Sequence, residues 1–125
     1  MSGYGPRIAA LERRAERDRA AFDDERPDRR QREEPTAYLR EGAGEAIWLY
    51  VEARTGGRMV PFSPAELEAL TGAMNDWLEC YARCHGVELE ASFTVREAAE
   101  LLLQTRNVHD VGQLLTGVPG REKNG

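Results

Sequence analysis

The residues best suited to chemistry in this sequence are Cys80, Cys84 and His85, grouped in the string CYARCH, with His109 further along. A metal centre needs three or four such ligands converging on one ion. Cys80 and Cys84 stand one helical turn apart and share a face. His85 is turned about 100° away from Cys84, so the two neighbours do not aim at one point. The spacing fits no zinc signature, and cysteines on the apolar side of a helix serve as small core residues. His85 sits in a helix-terminal turn, where a partial positive charge suits the dipole. His109 follows a cap and is expected to be exposed. Neither histidine has a serine or cysteine arranged as a nucleophile beside it. Carboxylate pairs such as Glu66 with Glu68 and Glu88 with Glu90 read as solvated faces. The glycine-rich strings EGAGE and RTGGR lack the Lys-Ser or Lys-Thr and the strand–turn–helix frame of a phosphate cradle. No catalytic residue, cofactor or metal is therefore expected. Cys80, Cys84, His85 and His109 remain the candidates should a metal be bound.

The elements that would position these residues belong to a chain of 125 residues, enough for one domain and a tail. Hydrophobic residues make up 41% and charged residues 31%, and the two cysteines are too few for a disulfide scaffold. No apolar run is long enough to span a bilayer. Met1 to Ala10 lack a basic stretch followed by an apolar one, so a secretory leader is not expected and a cytoplasmic location is. The formal net charge of -5 argues against nucleic-acid or anionic-membrane partners. Lys123 is the only lysine against sixteen arginines, and residues 1–34 carry nine arginines and nine acidic residues. The net negative charge thus falls on the remainder of the chain.

Residues 1–34 read as a charged, flexible arm and linker, partly helical or disordered. Ile8, Leu11, Ala15 and Phe22 follow a sparse heptad, with Asp18 standing where another apolar residue should be. Pro27 and Pro35 bracket the linker-like run DRRQREE. Residues 35–119 read as the compact domain and 120–125 as a disordered tail. Between 36 and 54, Leu39, Ala43, Ala46, Ile47, Tyr50 and Arg54 recur at helical spacing, which predicts a helix. IWLYV followed by TGG leaves a hairpin at about 47–62 as the alternative. Ser63, Pro64 and Glu66 form a capping box with proline at the first helical position, and Phe62 and Leu67 suit a hydrophobic staple. Leu67, Leu70, Met74, Trp77, Leu78, Tyr81 and Cys84 mark the inner face of that helix. VELEAS reads as an edge strand or a connector. Thr94 and Glu97 box a further helix with Val95, Ala98, Ala99, Leu102 and Leu103 inward. Asn107 caps the last helix, which buries Val111, Leu114 and Leu115.

TVREAAELL, from Thr94 to Leu102, resembles the first helix of the helix-turn-helix in excisionase-like and MerR-like DNA-binding domains. That resemblance implies a following helix with basic side chains for the major groove, whereas NVHDVGQLLTG has no Arg or Lys and places Asp110 near a phosphate. EAIWLYVEARTGGRMVPFSPAELEAL and FTVREAAELLLQTRNVHDVGQLLTGVP resemble an uncharacterised small protein family of halophilic archaea. The near-absence of lysine agrees with that origin. The resemblance brings no assigned activity and no site residues.

The fold expected is mainly α: a small domain of three to four helices with a charged N-terminal arm, or α+β if the hairpin forms. The function expected is non-catalytic: a small protein-interaction or regulatory domain, with a homodimer as one form, acting through an apolar helical surface. Trp48, Trp77 and Phe22 are the interaction candidates. The rival functions are a helix-turn-helix DNA-binding regulator and a Cys/His metal-binding protein.

Overall fold

The computed structural model describes residues 4–24, 35–55 and 62–118, apart from the side chains of 22–24 and 55. The run DRRQREE, Gly56 and Gly57 of the TGG string, residues 120–125 and the Phe22 side chain lie outside these. The protein is mainly α, and no strand occurs among the described residues. Helix α1 spans Gly5–Asp24 and α2 spans Pro35–Tyr38. A π-helical segment, Leu39–Ala43, continues α2 into α3, Gly44–Thr55. Helices α4 (Pro64–Cys84), α5 (Val95–Thr105) and α6 (Val108–Thr116) complete the order.

Helix α4 is the spine. Its amino end carries the capping box: the Ser63 side chain accepts from the Glu66 N–H at 3.1 Å, and Glu66 accepts from the Ser63 N–H at 2.9 Å. Leu70, Met74, Trp77, Leu78 and Tyr81 are buried along one broad face, as an amphipathic helix requires. The Tyr81 hydroxyl donates to the Val118 carbonyl at 2.6 Å, which ties the chain after α6 onto the spine. Leu67 departs from the expected face and lies exposed. Phe62 packs instead on the rings of Tyr4 and Tyr50, each 6.0 Å away between centroids.

Residues 5–24 are a docked helix rather than a free arm. Ile8, Leu11 and Ala15 are buried in the same core cluster as the rest of the chain, and α1 packs most extensively on α4. These residues and Asp18 follow one another at three- and four-residue steps, so they share a stripe. At the position where an apolar residue was expected, the Asp18 carboxylate accepts the Trp77 indole N–H at 2.9 Å. The Arg14 guanidinium lies over the same ring, 5.1 Å from its centroid. Polar residues at a heptad position therefore complete the docking, because a buried indole needs a partner for its N–H. Trp77 is 1% exposed and is a core residue, which removes it from the interaction candidates.

The hairpin alternative is not adopted: residues 47–55 are helical. Ile47, Leu49, Tyr50, Val51 and Ala53 are all buried. Burial around most of α3 outweighs the β preference of IWLYV, since packing dominates weak intrinsic propensity. Two close approaches fix the central helices. A Cβ at Gly42 would stand 2.5 Å from the Trp77 ring, and one at Gly112 would stand 2.6 Å from Leu39. At Gly42 the obstacle is a rigid ring, so glycine is required by lack of space; at Gly112 a side chain would force Leu39 to shift.

VELEAS is a connector, not a strand. Its far end is clamped by Asn75, the one polar side chain among the described residues that is buried with the core. The Asn75 amide donates to the Phe93 carbonyl at 3.0 Å and accepts the Phe93 N–H at 3.1 Å. Glu79 accepts the Ala91 N–H at 2.8 Å. Asn75→Ala leaves both Phe93 groups without these bonds. It is expected to lower stability by about 2 kcal/mol in urea unfolding.

Candidate functional site

The cysteine–histidine group does not assemble. Cys80 is fully buried, and burial pushes its thiol up to about 12. It stays protonated at neutral pH, whereas a metal ligand or nucleophile must be a thiolate. Cys84 is half-buried one turn on. His85 is exposed, its ring edge-on to Tyr81 at 5.0 Å. His109 lies exposed on α6, its backbone N–H bonded to the Asn107 side chain at 2.8 Å. Among the described residues no group of three or more His, Cys, Asp or Glu is placed to hold a metal ion.

A second titratable cluster lies on the seam between α1 and α4, where Arg19 pairs with Glu79. Burial raises the Asp76 carboxyl above its ordinary pKa; Arg19 opposes the shift, and Glu16 and Glu12 add to it. The folded state therefore holds this proton more tightly than the unfolded chain does. The penalty is absent below the unfolded pKa and grows as pH rises through the folded value. Asp76→Asn is expected to raise the urea midpoint at pH 7, with the gain vanishing below about pH 3.5.

The feature with the form of a binding surface is centred on α3. Its exposed residues Glu45, Trp48 and Glu52 make an outward stripe, apart from the exposed Arg54, and Trp48 occupies the middle of it at 61% exposure. An aromatic ring this large on the solvent stripe of an otherwise buried helix is out of pattern. Beside it runs an apolar groove of about 540 Å³ between α3 and the α5–α6 corner. Gly44, Leu102 and Val108 line it with Trp48 and Leu103, and Arg40, Glu45 and Arg106 add charge. Leu103 is 55% exposed, against the expectation that it faces inward. It lies about 140° around α5 from Ala98, at the edge of the buried face. Leu114, also expected inside, is exposed on α6.

Two smaller furrows adjoin the groove. One, about 320 Å³, runs between α1 and α3 and shares Glu45 and Trp48 with it. The other, about 240 Å³, lies between α3 and α5 and shares Leu103. Trp48 thus stands as a ridge between two depressions.

Arg106 was not singled out from the sequence. It caps α5 in the left-handed conformation, at φ 55°, where glycine is the usual residue. Its only sequence signal is a cationic residue in the place of a helix-ending glycine. Arg106→Gly is expected to raise stability by about 0.5–1 kcal/mol, read as a rise of roughly 2–4 °C in melting temperature. Helix α6 carries no Arg or Lys, so the geometry adds no cationic face to the helix-turn-helix resemblance of α5.

No helix among the described residues is long and apolar enough to cross a membrane. Residues 2–120 match the family described as a domain of unknown function, DUF8055, and the chain belongs to that family. The match takes in α1 together with the other helices. No curated protein and no solved structure matches the chain.

Proposed function

We propose that the protein is a non-catalytic interaction module that works by burying the Trp48 face against a protein partner. The observation that carries this reading is Trp48 itself, exposed beside an apolar groove on a helix whose other apolar side chains are buried. At 61% exposure its ring offers about 150 Å² for burial, worth about 4 kcal/mol before the costs of association. Leu103 extends the apolar surface, and the charges at the groove favour a matched partner over a purely apolar one.

The test is capture by immobilised full-length protein, comparing wild type with Trp48→Glu and Leu67→Glu. Leu67 is exposed on α4 and does not line the groove. Proteins retained in stoichiometric amount by wild type and Leu67→Glu but released by Trp48→Glu are the expected result. A retained set identical for wild type and Trp48→Glu overturns the reading.

A further inference from the structure

The occupant of the groove can be argued from its shape and charge. This inference rests on the reading of the Trp48 face as the working surface. We infer that a second copy of the chain docks there, about a twofold axis, with the Trp48 ridge of each protomer seated in a furrow of the other.

The first argument is shape. A twofold interface uses the same patch on both subunits, so the patch must carry a projection and its complement together. Trp48 is the projection. The groove of about 540 Å³ and the furrow of about 320 Å³ on its two sides are the complement. A partner helix needs an uninterrupted trough that takes anchors at i, i+3 or i+4 and i+7. Here the trough is split by the Trp48 ring.

The second argument is charge. Around the ridge, Arg7, Arg40 and Arg106 are interspersed with Glu45 and Glu52. A patch of mixed sign matches a copy of itself turned by half a rotation, whereas a strongly acidic or basic partner would call for one dominant sign. Arg7 and Glu52 pair with each other, and Glu45 pairs with Arg14. The Arg106 guanidinium has no ion-pair partner among the described residues. It is positioned at the groove by a backbone conformation that arginine seldom adopts.

The test is sedimentation equilibrium of the full chain from about 1 to 100 µM, a range that brackets micromolar dissociation constants. Wild type is expected to shift from 14.0 kDa to twice that mass as concentration rises. Trp48→Glu and Leu103→Glu are each expected to weaken association by at least about 30-fold, the size of a hot-spot truncation. Leu67→Glu is expected to associate as wild type does. Circular dichroism confirms that each variant is folded. A wild type that stays monomeric throughout overturns the second copy as occupant; Trp48-dependent capture of another protein would then leave the interaction reading standing. A dimer unchanged by both Trp48→Glu and Leu103→Glu overturns the proposal as well, since association would then use a different face.

Discussion

Trp77→Ala is expected to lower stability by about 3–5 kcal/mol, the largest effect of any single truncation in this protein. Trp77 is 1% exposed and is the largest of the fully buried side chains among the described residues. Three elements meet on its ring. Helix α1 supplies Asp18 and Arg14, the π-helical segment supplies Gly42, and α4 carries the residue itself. Removing the indole takes away apolar burial and opens a cavity at the joint between α1 and the rest of the fold. Small domains have only about 5–15 kcal/mol in total, so the variant loses a large share of its stability. Trp77→Phe separates the contributions, because it keeps most of the ring and loses the N–H bond to Asp18. Its cost should be about 1–3 kcal/mol. Urea unfolding followed by circular dichroism measures both. A loss below about 2 kcal/mol for Trp77→Ala would contradict the buried position described above.

Gly42→Ala is expected to destabilise by about 3 kcal/mol, although the same change in most helices is favourable. A Cβ at residue 42 would lie 2.5, 2.6 and 2.7 Å from three atoms of the Trp77 ring. No rotation of the methyl group relieves this, and the ring is held by its bond to Asp18 of α1. Gly72 provides the opposite case within α4. It is exposed, and a Cβ there would meet nothing within 4 Å. Gly72→Ala is therefore expected to stabilise by about 0.5–1 kcal/mol through lower chain entropy in the unfolded state and better helix propensity. The two substitutions are chemically identical and should shift the urea midpoint in opposite directions. A gain at Gly42 would mean that α4 does not approach the π-helical segment this closely.

Local signals were legible in the sequence wherever one residue's chemistry decides the structure. The capping boxes at Ser63 with Glu66 and at Thr94 with Glu97 form as their spacing predicts, and Asn107 caps α6. The helical reading of 36–54 holds over the hairpin because Leu39 and Ala43 extend the face of Ile47 and Tyr50. What the pattern did not carry were pairings between distant segments. Asp18 looked like a break in an apolar stripe, and only the arrival of Trp77 from 59 residues away makes it a partner. Nothing local marks Asn75, which gains its partners only where the chain returns to it at Phe93. The apolar residues of α5 and α6 spread wider than the buried faces, so Leu103 and Leu114 fit the pattern yet lie exposed. The candidate site was half legible. Trp48 stands out by its size, but the groove beside it depends on how α3, α5 and α6 meet, and Arg106 on a backbone angle.

The docking of α1 on α4 also constrains how the protein is made. Helix α1 is synthesised first, yet the tryptophan that receives it is added 59 residues later. At about 5–20 residues per second on the ribosome, α1 waits roughly 3–12 s for its seat. A strongly apolar helix would be an aggregation hazard over that interval. This one presents arginine and glutamate on much of its surface, and among its described side chains Ile8, Leu11 and Ala15 are the buried apolar ones. Its sparse apolar stripe is thin enough to be tolerated on a nascent chain. The aspartate and arginine that finish the docking act only once the indole has arrived.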